Sequence, residues 1–235
     1  MIHAADRLGF RDSPTLACGL SPDLDRTLLH VYKARMTVPR PDLWSENAPD
    51  RWYQALARYP DVVALQGVAR LPALDDWYRD ELPATLASRS PQRLVLDELI
   101  QLTEWKMARG VWRAPNLVLV RGNQPAQVIA TSIESFGLVP HPTKPIAKLA
   151  TLAGVGPATA SAVVSALHPA MYPFFDELVA VQVPLLGKVA WTLGYYAQYA
   201  SALRERAQEL GGEWTPTKVE RALWAHVGGK IGAVG

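Results

Sequence analysis

The chain has 235 residues, 49% of them apolar, enough to bury a full core in one domain or two small lobes. A formal net charge of +2 does not by itself mark a nucleic-acid binder, and the single cysteine, Cys18, excludes an internal disulfide or an all-cysteine metal cluster. No run approaches the ~18 apolar residues of a membrane span, and the first residues lack the apolar stretch of an export signal; the expectation is an intracellular protein, cytoplasmic or nuclear, with no membrane contact.

Residues 1–20 mix Gly, Pro, Ser and Arg without periodicity and read as an N-terminal arm, with one helical domain over 21–235. Ser21-Pro22 opens a helix carrying Leu24, Leu28, Leu29 and Tyr32, which ends before Pro39. The next begins near Ala48 to Arg51, bears Trp52 and Leu56, and stops at Tyr59-Pro60. Leu74 to Leu82 sets Trp77, Tyr78 and Leu82 opposite Asp75, Asp76, Arg79 and Asp80, which predicts a packing helix with an acidic exterior. Pro91 to Arg109 holds too many apolar residues for a surface helix and is expected at the centre of the core. Asn116 to Val120 has the composition of a strand, but Pro115 suits a first helical turn, so a helix is expected there. Asn123 is expected to cap a helix running to Phe136. Beyond residue 176 the pattern predicts a helix over Val179 to Val183, a long one over Thr192 to Leu210, and a last one from Thr215-Pro216. That last helix sets Val219, Leu223 and Trp224 against Lys218, Glu220 and Arg221. With no strand hairpin and no repeat, the fold class is all-α.

The most informative stretch is K-L-A-T-L-A-G-V-G-P-A-T-A-S-A-V-V-S-A-L-H-P, from Lys148 to Pro169. Ile146, Leu149 and Leu152 recur at helical spacing over Pro145 to Leu152. Gly154 and Gly156 then suit conformations that a Cβ would penalise, and Pro157 starts a second helix of small residues. A turn of this kind, spanning 145–168 with its helices, leaves first-turn N–H groups pointing outward, where a phosphate fits without reading base sequence. The backbone contacts are expected from Gly154, Val155, Gly156, Ala158 and Thr159, with Lys144 and Lys148 beside them. Charge distribution agrees. Residues 41–100 carry ten acids against six bases, but 101–150 carry two against six, namely Lys106, Arg109, Arg113, Arg121, Lys144 and Lys148. A Gly-x-Gly alone favours an ordinary helix corner packed by glycines; the longer string favours nucleic acid.

That string, L-A-G-V-G-P-A-T-A, resembles the hairpin of the helix-hairpin-helix DNA glycosylase superfamily, which includes endonuclease III, the adenine glycosylases and the alkyl-base glycosylases. An essential aspartate follows the hairpin in endonuclease-III-like members, and Asp176 in Y-P-F-F-D-E-L-V stands at the matching place, 22 residues after Gly154 (176 minus 154). The resemblance runs from Ala147 to about Val183, less than half the chain. It implies a two-lobed helical domain with a cleft, double-stranded DNA as partner, and hydrolytic removal of a damaged base in DNA repair. Two departures refine it. No cysteine follows Asp176, so no iron-sulfur cluster is expected. Ala158 stands where bifunctional members carry a Schiff-base lysine, so a monofunctional enzyme using water is expected. His3, His30, His141, His168 and His226 show no metal-binding spacing, so no cofactor or metal is expected unless a monovalent cation sits at the hairpin.

Breaking a base-sugar bond develops positive charge on the sugar, which a fixed carboxylate at Asp176 would stabilise. The competing role is a helix cap, with Glu177 as a second acid at the positive helix end. A base turned out of the duplex needs a stacking pocket, for which Trp105, Trp112, Tyr172, Phe174 and Phe175 are candidates, although single aromatics are more often core. The alternatives are a non-enzymatic helix-hairpin-helix DNA-binding protein and a helical adaptor for another protein.

Overall fold

The computed structural model describes residues 42–233. The expected N-terminal arm, Cys18, His3, His30 and the helix expected from Ser21 lie outside the described residues. Among these, every regular element is helical, so the fold is all-α.

Prolines set the helix starts, because a first-turn residue needs no N–H and gains from a fixed φ. A 3₁₀ turn at Leu43–Ser45 leads to α1 (Pro49–Ala57) and α2 (Tyr59–Ala64). α3 (Leu71–Asp76) continues through a π turn at Trp77–Glu81 into α4 (Leu82–Ala87). The central helix is α5 (Leu96–Arg109), with Leu99, Leu102 and Trp105 wholly buried. Glu98 fixes its start by accepting from the Val95 N–H at 3.0 Å while Arg89 grips the same carboxylate at 2.6 and 2.7 Å. α5 packs against α3, α6 (Ala114–Arg121) and the later α9 (Pro157–Leu167). The β-branched run 116–120 is thus helical, as Pro115 in the first turn leads one to expect.

α7 (Pro125–Phe136) and α8 (Lys144–Leu149) pack together, and α8 also packs on α9. After the short α10 (Glu177–Ala180) come α11 (Leu193–Leu210), α12 (Pro216–His226) and α13 (Gly229–Ala233). Thr192 and Thr215 cap α11 and α12, each accepting an N–H at 3.2 Å. α12 closes the core against α1 and α11.

Four sequence expectations are corrected. Asn123 does not cap α7: Gln124 takes that position, and the Asn123 side chain instead donates to Val120 O and Ala153 O and accepts from the Ala153 N–H, each at 2.9 Å. The other three concern charges expected at the surface. Asp75 is buried because it finds three donors: Tyr59 Oη and Trp105 Nε1 at 2.8 Å, and Arg79 Nε at 3.0 Å. Arg109 and Glu220 are fully buried because they bond each other, joining α5 to α12. A buried charge persists only with a partner, and here each has one.

Candidate functional site

The turn between α8 and α9 is shaped by one glycine. Gly154 has φ +74°, and a Cβ there would lie 2.6 Å from Asn116 O and 2.9 Å from Leu119 Cβ. It is a glycine because α6 passes against its backbone. Gly156 differs from the expectation made for it: its φ is −92°, its backbone is extended, and open space surrounds the position of a Cβ. It serves as the α9 N-cap, its carbonyl accepting from the Ala160 N–H at 2.9 Å. Val155 is a core residue whose N–H is taken by Leu152 O at 3.2 Å. Ala158 and Thr159 bury their side chains in the first turn of α9, where N–H groups lack an intrahelical acceptor. Lys144 is exposed, and Lys148 is paired with Glu134 at 2.5 Å.

Beside this turn lies a cavity of about 350 Å³, within the ~300–1,000 Å³ typical of small-molecule sites. Gly156 to Thr159 form one wall, and Phe174, Phe175, Asp176, Glu177 and Leu178 form another. Lys106, Gly110, Val111, Arg113 and Asn116 come from the end of α5 and the start of α6; Trp191 and Lys230 complete the lining.

Asp176 is 8% exposed. Its Oδ1 accepts from the Leu178 N–H at 2.8 Å, which caps α10, and its Oδ2 lies 3.8 Å from Arg109 Nε. Arg109 lies among the rings of Trp105, Phe174 and Trp224 and bonds Glu220. Burial would favour its neutral form, but Glu220, Tyr59 and Asp176 hold it charged. Burial also pushes the Glu220 carboxyl up, against the pull of Arg109. For Asp75, burial is outweighed by Arg79 and Arg109 together with the Trp105 and Tyr59 hydrogen bonds, and the carboxyl is held below the usual range.

The expected stacking residues divide. Phe174 and Phe175 line the cavity. Trp105, Trp112 and Tyr172 lie outside it. Trp105 is stacked on Tyr78 with ring centroids 3.6 Å apart, and its indole N–H is committed to Asp75. Tyr172 is core and donates to His141 O at 2.9 Å. Trp112 is exposed, with the Arg70 guanidinium 4.9 Å above its ring. Trp191 was not anticipated: it is 43% exposed, lines the cavity and meets Phe175 at 4.8 Å between centroids. It lies in a segment without periodicity, so no sequence signal marked it.

The expected basic face divides as well. Arg121 pairs with Glu104 at 2.9 Å on the surface, and Arg109 belongs to the core. Lys106 and Arg113 open on the cavity, joined by Lys230, for which only its position after α12 could have been a signal. Lys106 is half-buried, and burial pushes its amine down to about 8; Arg113 adds to this and Asp176 opposes it. Among the described residues no group of three His, Cys, Asp or Glu side chains is arranged to hold a metal, and no helix is long and apolar enough to cross a membrane.

The arrangement offers a carboxylate, an aromatic wall and several cations around one half-open cavity, beside a helix start suited to an anion. Comparison with protein-family models, curated proteins and solved structures finds no match for this chain.

Proposed function

We propose that the protein is a monofunctional DNA glycosylase that removes a damaged base from double-stranded DNA by hydrolysis. In this reading α8, the turn and α9 form a helix-hairpin-helix, and the cavity lies in the cleft of a two-lobed helical domain. The supporting observation is the convergence of Asp176, the first turn of α9 and the Phe174, Phe175 and Trp191 rings on one cavity. The α9 start holds a backbone phosphate through the N–H groups of Gly156, Ala158 and Thr159. The turned-out base stacks on the aromatic wall, while the Asp176 carboxylate faces the positive charge that develops on the sugar and orients a water. Arg109, itself neutralised by Glu220, positions Asp176. The reaction calls for no cofactor.

One observation favours a second reading, a binding module without catalysis. Asp176 already caps α10 and lies beside Arg109, which would suffice to explain a carboxylate there. The two readings part on Asp176→Asn, which keeps the cap. Excision is measured on duplexes carrying uracil, hypoxanthine, 8-oxoguanine, mismatches or alkylated bases, developed with hot alkali. The glycosylase reading expects wild-type cleavage of at least one substrate and a loss of about 10² or more in the variant, with duplex affinity retained. Cleavage unaffected by Asp176→Asn removes Asp176 from the chemistry. A wild-type protein that binds duplexes and cleaves none of them leaves the binding module.

A further inference from the structure

Asp176 meets the positive half of the proposed transition state, and the negative half has so far no partner. When a base–sugar bond breaks, its electron pair stays on the base, so an uncharged base leaves as an anion unless a donor reaches it. Lys106, in the last turn of α5, lines the cavity with Asp176, Phe174 and Phe175. Its charge and that of Asp176 act on each other, yet among the described residues Lys106 makes no hydrogen bond or ion pair. The nearby acids are otherwise engaged: Asp176 caps α10 and lies beside Arg109, and Glu104 on the same helix holds Arg70 and Arg121. A half-buried ammonium and a buried carboxylate therefore share one cavity without closing on each other. Their signs match the two charges that develop when the bond breaks.

We infer that Lys106 receives the departing base, and that the cavity therefore takes uncharged, oxo-bearing bases, the products of deamination or oxidation, in preference to cationic alkylated ones. The inference rests on the proposed base-removing function and names its substrate class. As the C1′–N bond breaks, its electron pair passes to the base nitrogen and into the conjugated oxo group. The Lys106 ammonium donates to that oxygen and gives the base a proton. The water oxygen adds to C1′ and yields its proton to Asp176. Solvent then reprotonates Lys106 and deprotonates Asp176, so one water is consumed for each free base and abasic sugar formed. No bond joins protein to sugar, and no oxidant or reductant is needed.

The other charges at the cavity favour the same class of base. Arg113 from the start of α6 and Lys230 from α13 are exposed cations in the lining, and Glu177 of α10 is an exposed acid. With Lys106 and Asp176, the lining sets three cations against two acids. Arg109, wholly buried, offsets Asp176 from behind the lining, and the start of α9 adds partial positive charge. A cationic base would meet an ammonium in the space it has to enter. It would also depart as a neutral molecule, so the ammonium would contribute nothing to its departure. Burial and Arg113 push the Lys106 amine down to about 8, with Asp176 opposing. At pH 7 about nine molecules in ten still carry the proton, which is given up more readily than that of an ordinary lysine.

The test uses the full chain and single-turnover release of free base, followed by chromatography, from duplexes that differ only in carrying uracil, hypoxanthine, 8-oxoguanine or 7-methylguanine, the last already cationic. Each rate is divided by that of spontaneous release. The wild-type protein is expected to accelerate at least one uncharged base more than 7-methylguanine. Lys106→Met should slow the uncharged base by a factor of about 10² and leave any release of 7-methylguanine nearly unchanged. The wild-type rate should fall as pH rises through about 8, because the ammonium is the active form. Lys106→Arg, which stays charged, should lose that fall. Unfolding temperature and duplex affinity are measured on both variants, and retention of each ties the loss to the departing base. A greater acceleration of 7-methylguanine by the wild-type protein overturns the substrate class. Release of the uncharged base undiminished in Lys106→Met, or an equal loss on every base, overturns the role of Lys106 and leaves base hydrolysis standing. A wild-type protein that releases none of the bases removes the function together with this inference.

Discussion

Two polar regions adjoin Phe174, and they treat charge in opposite ways. In the first, Asp75, Tyr59, Trp105, Arg109 and Glu220 are buried and Arg79 is half-buried; Asp75 accepts from Tyr59, Arg79 and Trp105, and Arg109 bonds Glu220. In the second, Lys106, Arg113 and Lys230 face a cavity, and Lys106 has no bonded partner among the described residues. The contrast separates charge that holds helices together from charge kept for something else. Removing one partner of a buried, bonded pair strands the other charge, whereas a desolvated amine without a bonded partner lowers stability and needs a reason outside the fold. Arg109 belongs to both regions, since it bonds Glu220 and lies beside Asp176.

The sharpest way to break the contrast is at its foundation. Glu220→Ala strands Arg109 in the core and should cost about 3–5 kcal/mol in denaturant unfolding. A loss below about 1 kcal/mol would mean that the network is not what joins α5 to α12. Next in size is Gly154→Ala, at about 2–4 kcal/mol, since it meets a left-handed backbone and a contact with α6 at once. A variant as stable as wild type would show that α6 can move away from the turn.

In the second region the sign should reverse. Lys106→Met should stabilise the protein, on the order of 1 kcal/mol at neutral pH, because it removes the need to desolvate an ammonium. The folded value of about 8 lies below the ordinary 10.5, so the unfolded chain binds more protons between those limits. The gain should therefore be complete below pH 8 and vanish as pH approaches 10.5. Thermal unfolding across that range checks it; a loss of stability at pH 7 would assign Lys106 to the scaffold. The smallest effect is expected of Gly156→Asp. An aspartate at the α9 N-cap should raise stability by about 0.3 kcal/mol, since it caps better than glycine. It would also place a carboxylate where the phosphate is proposed to bind, lowering duplex affinity about tenfold at low salt. Unchanged affinity would move the DNA contact away from the α9 start.

These regions also differ in how far they can be read without coordinates. The helices could be, because apolar spacing and first-turn prolines act locally; even 116–120 was decided by Pro115 against its strand-like composition. Asp176 was legible through its interval from Gly154 and its place at a helix start. The buried charges were not. Periodicity assigns charged residues to the outside, and nothing near Arg109 in sequence announces Glu220, 111 positions away. Trp191 and Lys230 were missed for a related reason, since each reaches the cavity through tertiary packing alone. The two glycines of the turn looked equivalent, yet only Gly154 has α6 against it.

The cavity draws its lining from 106–116, 156–159, 174–178, 191 and 230, so its enclosure depends on when each stretch emerges during synthesis. Contacts over such separations are slow to form, because long loops must close before any packing rewards them. The α8–turn–α9 unit and its braces from Asn123 and α6 are complete once residue 167 has been made. Lys230 arrives last. For an interval on the ribosome the chain would therefore hold a finished turn beside a cavity still missing part of its lining.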